Sequence, residues 1–187
     1  MSFFGKNNTS IYGRFERKNG SYSCQLLFAR SKILPKNTTT PRGELLAAVL
    51  NASTGHVVAT ALGDCHKSTI KLTDSQVALH WICGKRITLK SFLRNRVLEI
   101  NRLCDSSLWR YVEGKNMVAD IGTRKGVRIS DITEGSSYIG GNPWMSGDEK
   151  YFPVFTVEQV KLDSKGLEDL KKEVRNIVVG SEASVFV

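Results

Sequence analysis

The hydrophobic period changes several times along the chain, and the order of those changes restricts the folds open to it. Ile11 to Arg17 alternates and carries aromatics, and Ser21 to Ser31 places Tyr22, Cys24, Leu26 and Phe28 on one face. With Lys18-Asn19-Gly20 between them, these runs predict an antiparallel hairpin. A threonine run then leads into Pro41, a helix start. Leu45, Leu46, Val49 and Leu50 follow at helical spacing, and the helix is expected to pass Gly55 toward Leu62. Next come a short buried strand (Thr69–Thr73), a helix (Ser75–Gly84), a helical stretch (Leu89–Leu103) and a strand (Trp109–Val112). The loop Glu113–Asn116 leads into a helical turn bearing Asp120. Strands and helices taking turns in this way predict an α/β fold, a sheet flanked by helices.

Beyond about residue 126 the pattern weakens. Gly135–Gly147 reads as a loop rich in Gly and Ser, and Gly166–Val178 as an amphipathic helix through Leu167, Leu170, Val174 and Ile177. The expected organisation is therefore one domain over residues 1–126, then a linker or tail over 127–187. The length of 187 residues suits one domain with a tail. Composition, 41% hydrophobic and 24% charged, excludes a wholly disordered chain and a small disulfide scaffold. No unbroken run of about 18 apolar residues occurs, so no membrane partner is expected. The first residues lack a secretory apolar stretch, so the expectation is an intracellular protein, in the cytoplasm, a virus-like particle or the nucleus.

Charge narrows the partners. The 27 Lys and Arg against 18 Asp and Glu give a formal charge of +9 and a pI near 9.5. Such a domain is drawn to polyanions, nucleic acid first among them. The four cysteines, Cys24, Cys65, Cys83 and Cys104, form no C-x-x-C pair and read as reduced, mostly buried thiols. A zinc site from Cys65, His66, His80 and Cys83 is the remote alternative, weakened because the first two are adjacent and point apart.

Three acids stand out by position. Glu44 falls early in a helix, Asp74 ends a strand and opens a helix, and Asp120 starts a later helical turn. Strand ends in an α/β sheet converge on one edge, so carboxylates placed there meet. Convergent carboxylates suit hard divalent cations, Mg²⁺ above all. Taken singly, each acid has a plainer reading: Glu44 as a complement to the helix dipole, Asp74 as an N-cap, Asp120 as a surface acid.

The flanking words carry a resemblance. Leu27-Phe28-Ala29-Arg30-Ser31-Lys32, Thr40-Pro41-Arg42-Gly43-Glu44-Leu45-Leu46-Ala47-Ala48 and Thr73-Asp74-Ser75-Gln76-Val77-Ala78-Leu79-His80-Trp81-Ile82 come first. Phe92 to Ile100 and Trp109 to Arg124 follow in order. Together they resemble the ribonuclease-H-like region of BEL/Pao retrotransposon polyproteins. Gly141-Asn142-Pro143-Trp144-Met145, with Phe152-Pro153, is similar to the linker that precedes the integrase part there. The resemblance covers roughly residues 12–153. It implies a ribonuclease H fold with a mixed sheet of about five strands. It also implies reverse transcriptase and integrase parts as polyprotein neighbours, and an RNA–DNA hybrid whose RNA strand is hydrolysed with two Mg²⁺ ions. By motif, Glu44, Asp74 and Asp120 correspond to three of four metal-binding carboxylates. In such a site one ion activates water and the other stabilises the leaving oxygen.

One departure stands against the match. The family's first carboxylate belongs to an Asp-Ala-Ser word on its first strand, several residues before a Tyr-Gly that matches Tyr12-Gly13. Counting back in that frame reaches Lys6, and no acid precedes Glu16, which is out of frame. The resemblance therefore implies an impaired nuclease. The chain begins inside the domain, or this copy has decayed, or it was retained without catalysis. The other functional expectation is a basic face of Lys85, Arg86, Lys90, Arg94 and Arg96, contacting phosphates or simply solvated. A non-catalytic nucleic-acid-binding or spacer module is the alternative function. Trp81 is expected in the core and His80 as a packed or surface residue. Lys115, in the Gly-Lys-Asn loop, cannot replace a catalytic histidine at neutral pH.

Overall fold

The computed structural model describes residues 6–84, 87–124 and 126–177. The hairpin forms where alternation placed it and runs further at both outer ends, β1 Lys6–Glu16 and β2 Tyr22–Ile33. Its register runs from Glu16 opposite Tyr22 to Lys6 opposite Ile33, with a bulge at Ile11/Tyr12. Gly20, at φ 78°, takes the left-handed turn position that a side chain would strain. α1 (Thr40–Leu62) starts on Thr39, which has the extended backbone of an N-cap, with Pro41 in the first turn where a missing N–H costs nothing. It passes Gly55 as expected and stops at Gly63, whose amide donates to Ala59 O and Thr60 O.

β3 (Lys71–Thr73), α2 (Gln76–Cys83) and β5 (Trp109–Val112) lie where the sequence placed them, and α3 (Ser91–Leu103) begins two residues later than predicted. The residues just before α3 form β4 (Ile87–Leu89) instead, paired with β7 (Val174–Ile177). α4 (Ser137–Gly140) and β6 (Val154–Phe155) complete the elements, with α5 (Ser164–Lys172) before β7. The predicted last helix therefore ends early. Glu173 O accepts from Lys90 N, and the β-branched residues that follow pair with β4 rather than continue a helix.

The fold is mixed α/β and consistent with a ribonuclease-H-like architecture. Its strands fall into three ladders, β1–β2, β3–β5–β6 and β4–β7. Within the second, β3 and β5 are parallel and β5 and β6 antiparallel. One core joins Leu45, Ala48 and Ala52 of α1 to Val77, Leu79, Trp81 and Ile82 of α2, Leu93 and Ile100 of α3, and Trp109 of β5. Each such large side chain contributes about 1.5–3 kcal/mol on burial. Val160 and Leu170 belong to the same core. The stretch expected to be linker and tail thus packs on the domain and adds a strand to its sheet.

α1 holds a further finding. From Thr40 through the next turn to Cys65 it is long and apolar enough to cross a membrane, with mean hydropathy 1.5. The sequence reading overlooked this because Ala, Gly, Ser and Thr interrupt the large apolar residues. One face of this helix enters the core.

Candidate functional site, an acidic cleft between two sheets

Among the described residues no ladder joins the hairpin to the sheet β3–β5–β6. Asn51 of α1 spans them: its Nδ2 donates to Thr9 Oγ1 at 3.0 Å on β1, and its Oδ1 accepts from Lys71 Nζ at 3.3 Å on β3. Successive strand residues face opposite ways, so the opposite face of β1 meets the loops after β5. There Asn8 Nδ2 donates to Ala119 O at 2.6 Å and Tyr12 Oη to Tyr138 O at 2.8 Å. Between these walls lies a cavity of about 1230 Å³. Glu44, Asp74 and Asp120 all line it.

Each acid reaches the cleft from a different element. Glu44 lies beyond the first turn of α1, so dipole complementarity is not its role. Its Oε2 accepts from the Ser75 hydroxyl, and Ser75 Oγ in turn accepts from Ala78 N at 3.1 Å. Ser75 is therefore the N-cap of α2, which leaves Asp74 free of the capping role that a lone acid before a helix suggests. Asp74 stands at the β3–α2 junction, exposed to the cleft but crowded by protein on its other sides. Asp120 lies half-buried in a 3₁₀ turn, Val118–Thr123.

Electrostatics ties the three together through Asp74. Desolvation raises the Glu44 carboxyl above its usual range; the Ser75 hydrogen bond lowers it in part, and the charges of Asp74 and Asp169 add to the rise. Desolvation likewise raises Asp74, against its own backbone hydrogen bond. Asp120 is raised by desolvation and by Asp74, and eased by Arg124. Like charges gathered in a poorly hydrated cleft disfavour ionisation in this way.

The donor chemistry of three carboxylates suits a hard cation. Among the described residues no group of three or more His, Cys, Asp and Glu side chains is arranged to hold a metal ion. One Glu44 oxygen is engaged by the Ser75 hydroxyl. The four residues of the zinc alternative are dispersed. Cys65 is exposed, His66 Nε2 meets Thr69 Oγ1 at 2.6 Å, and the His80 ring meets Gln76 O at 2.8 Å within α2. The Cys83 thiol donates to Ser106 O at 3.3 Å and is pushed by burial up to about 11, away from the thiolate a metal needs.

The basic face is only partly available. Lys85 and Arg86 lie outside the described residues. Lys90 Nζ donates to Lys172 O, and Arg96 pairs with Glu99 at 3.6 Å. Arg94 is exposed. Trp81 is 2% exposed and cannot stack on a base. Lys115 pairs with Glu113 at 2.5 Å. Sequence reasoning missed Arg42. Its guanidinium lies 5.2 Å from the Phe92 ring centre, with Arg96 at 5.3 Å on the same ring. Phe92 is 37% exposed, so a half-open aromatic lies between two cations. Nothing in the sequence signals a pairing of residues fifty apart.

Residues 6–75 match the family model described as the Pao retrotransposon-like RNaseH-like domain. Over this segment, less than half of the chain, the protein is similar to a Pao-type, RNase H-like region. The match spans the hairpin, α1 and β3, and so includes Glu44 and Asp74; Asp120 lies beyond it. No curated protein and no solved structure matches the chain. Within the matched region, Tyr12 follows the register shift of the hairpin, where Leu27 of β2 is left without a partner in the ladder, and Lys6 opens β1.

Proposed function

We propose that this Pao-type region is a nucleic-acid-binding module of a retrotransposon polyprotein, with an RNA–DNA hybrid as its ligand and Mg²⁺-dependent hydrolysis of the RNA strand strongly impaired. The observation that carries this reading is the placing of Asp74 within electrostatic reach of both Glu44 and Asp120 in one cleft. The reading is supported by the three acids lining one cleft; among the described residues no group of three or more His, Cys, Asp and Glu is placed for an ion. Net charge of +9 favours the polyanion, and Arg42, Phe92, Arg94 and Arg96 offer phosphate and ring contacts beside α1 and α3.

The test is a labelled RNA–DNA hybrid, incubated with and without Mg²⁺. Expected are salt-sensitive binding that is indifferent to Mg²⁺ and no more than trace cleavage. Robust cleavage that needs Mg²⁺ and disappears in Asp74→Asn would overturn the impairment. Affinity unchanged between low and moderate salt would overturn the binding role itself.

A further inference from the structure

Near the start of α3 an aromatic ring stands open between two arginines that come from different helices. Phe92 is exposed, whereas Leu93 beside it is buried in the core. A single exposed apolar side chain needs no explanation; two cations gathered about it do. The Arg42 guanidinium of α1 lies 5.2 Å from the ring centre, and that of Arg96, one turn along α3, lies 5.3 Å from it. Neither caps the ring closely. A closed stack in this protein is that of Arg14 on Tyr22, at 3.3 Å, and the longer separations about Phe92 leave room against the ring.

One of the two cations is held from behind. Arg42 Nε donates to Glu173 Oε1 at 2.6 Å, and that carboxylate is largely buried. Among the described residues Nη1 and Nη2 of Arg42 make no hydrogen bond, and the side chain as a whole is exposed. A guanidinium fixed through its Nε edge presents its two terminal nitrogens outward, as a fork for phosphate oxygens. Arg96 is looser. Its only ion pair among the described residues is with Glu99, at 3.6 Å and exposed on both sides. Such a pair contributes little and yields readily to a phosphate.

The ring has no hydrogen-bonding edge, so it selects a flat face and reads no sequence. The arginines select anions beside that face. An unpaired nucleotide supplies both together, a free π-face and a phosphate on either side. A base inside a duplex has its faces covered by its neighbours, and an acidic peptide would satisfy the arginines but leave the ring uncovered.

We infer that Phe92 is a stacking platform for one unpaired nucleotide, with Arg42 and Arg96 taking the phosphates that flank it. The occupant is a single-stranded stretch continuing from a hybrid, gripped without preference for base. Arg42 precedes Glu44 by two residues on α1, so the platform and the acidic cleft adjoin across the start of that helix. The inference rests on the nucleic-acid reading above and adds to it a contact that a blunt duplex cannot make.

The experiment uses the full chain and three fluorescein-labelled probes: a blunt RNA–DNA hybrid, the same hybrid with an overhang of about eight dT, and the same overhang built of abasic sugars. The dT overhang should tighten binding at least about fivefold, the low end of what base–aromatic stacking supplies, and the abasic overhang should lose most of that gain. Phe92→Leu keeps an apolar side chain at an exposed position; it should bind the blunt hybrid as the parent does and no longer distinguish dT from abasic overhangs. Independently of any variant, 5-iodouracil placed in the overhang should crosslink under ultraviolet light to the peptide that carries Phe92. Equal affinity for the dT and abasic overhangs, or crosslinks confined to other peptides, would overturn the inference, while salt-sensitive binding of the blunt hybrid would leave the hybrid reading standing. Phe92-dependent binding of the dT overhang with no binding of the blunt hybrid would do the reverse. An oligo-glutamate peptide that binds the parent and Phe92→Leu alike and displaces the overhang would also overturn it, and would make the patch a dock for an acidic protein.

Discussion

Lys71 Nζ donates to Asn51 Oδ1 at 3.3 Å, and the same Asn51 side chain holds Thr9 on the facing strand. One amide therefore substitutes for a backbone ladder between β1 and β3. Replacing it with Leu leaves a buried ammonium without its oxygen, a loss of about 1–3 kcal/mol. Asn51→Asp should instead stabilise, since it places a carboxylate beside the ammonium, and the Thr9 hydroxyl, an acceptor from Asn51 Nδ2 in the parent, can turn to donate to it. Urea midpoints of the two variants should fall on opposite sides of the parent; the same order for both would refute this role for Asn51.

The pH dependence of Lys71 has a definite sign. Desolvation lowers its pKa from the ordinary lysine value, so below about 10.4 the unfolded chain binds more protons than the folded one. Stability contributed by this site therefore rises with pH through the window that ends near that value. Burial of Cys83 and Tyr12 raises their pKa values and acts in the opposite sense at high pH. The difference between the parent and Lys71→Met cancels those groups. Denaturation at pH 8 and pH 10 should show Lys71→Met more stable than the parent at pH 8, with the gap shrinking at pH 10. A gap that widens with pH would contradict the burial of the ammonium.

For the acids the sign reverses. Glu44, Asp74 and Asp120 are all raised in the folded protein. Their contribution is complete below the ordinary carboxylate range, near 3.9–4.3, and is lost as pH rises through the raised values. Asp74 is the shared source of repulsion, so Asp74→Asn should raise the Tm at pH 7 by a few degrees and flatten its decline from acid to neutral pH. Thermal melts between pH 4 and pH 7 measure this, and a lower Tm at pH 7 for the variant would show that Asp74 makes a favourable contact instead.

Long-period features were legible in the sequence and short pairings were not. Alternation across Ile11–Arg17 and the Asn19-Gly20 turn gave the hairpin, and the spacing of Leu45, Leu46, Val49 and Leu50 gave α1. By contrast β4, β6 and β7 span two to four residues, too few to show a period. Val174 and Ile177 sit three apart and read as helix, but pairing with β4 decides their conformation. The convergence of Glu44, Asp74 and Asp120 on one cleft followed from strand-end topology. The Ser75 hydroxyl bond to Glu44 did not, because it joins residues 31 apart that no local pattern pairs.

Two arginines near the proposed interface should separate binding from stability. Arg42 Nε lies 2.6 Å from Glu173 Oε1, whose partner oxygen Oε2 is buried without a hydrogen bond. Removing Arg42 leaves a carboxylate that is 13% exposed without its charge partner, so Arg42→Ala should cost about 1–3 kcal/mol. Arg94 is exposed and, among the described residues, forms no ion pair. Arg94→Ala should leave the urea midpoint unchanged. If Arg94 neutralises one phosphate, that variant should also reduce the slope of log affinity against log salt by about 0.7–0.9 on a hybrid. Arg42→Lys keeps the charge but loses the planar contact with Phe92 and should fall between the two. An Arg94→Ala variant with the parent's salt slope would remove Arg94 from the interface and leave its charge merely solvated.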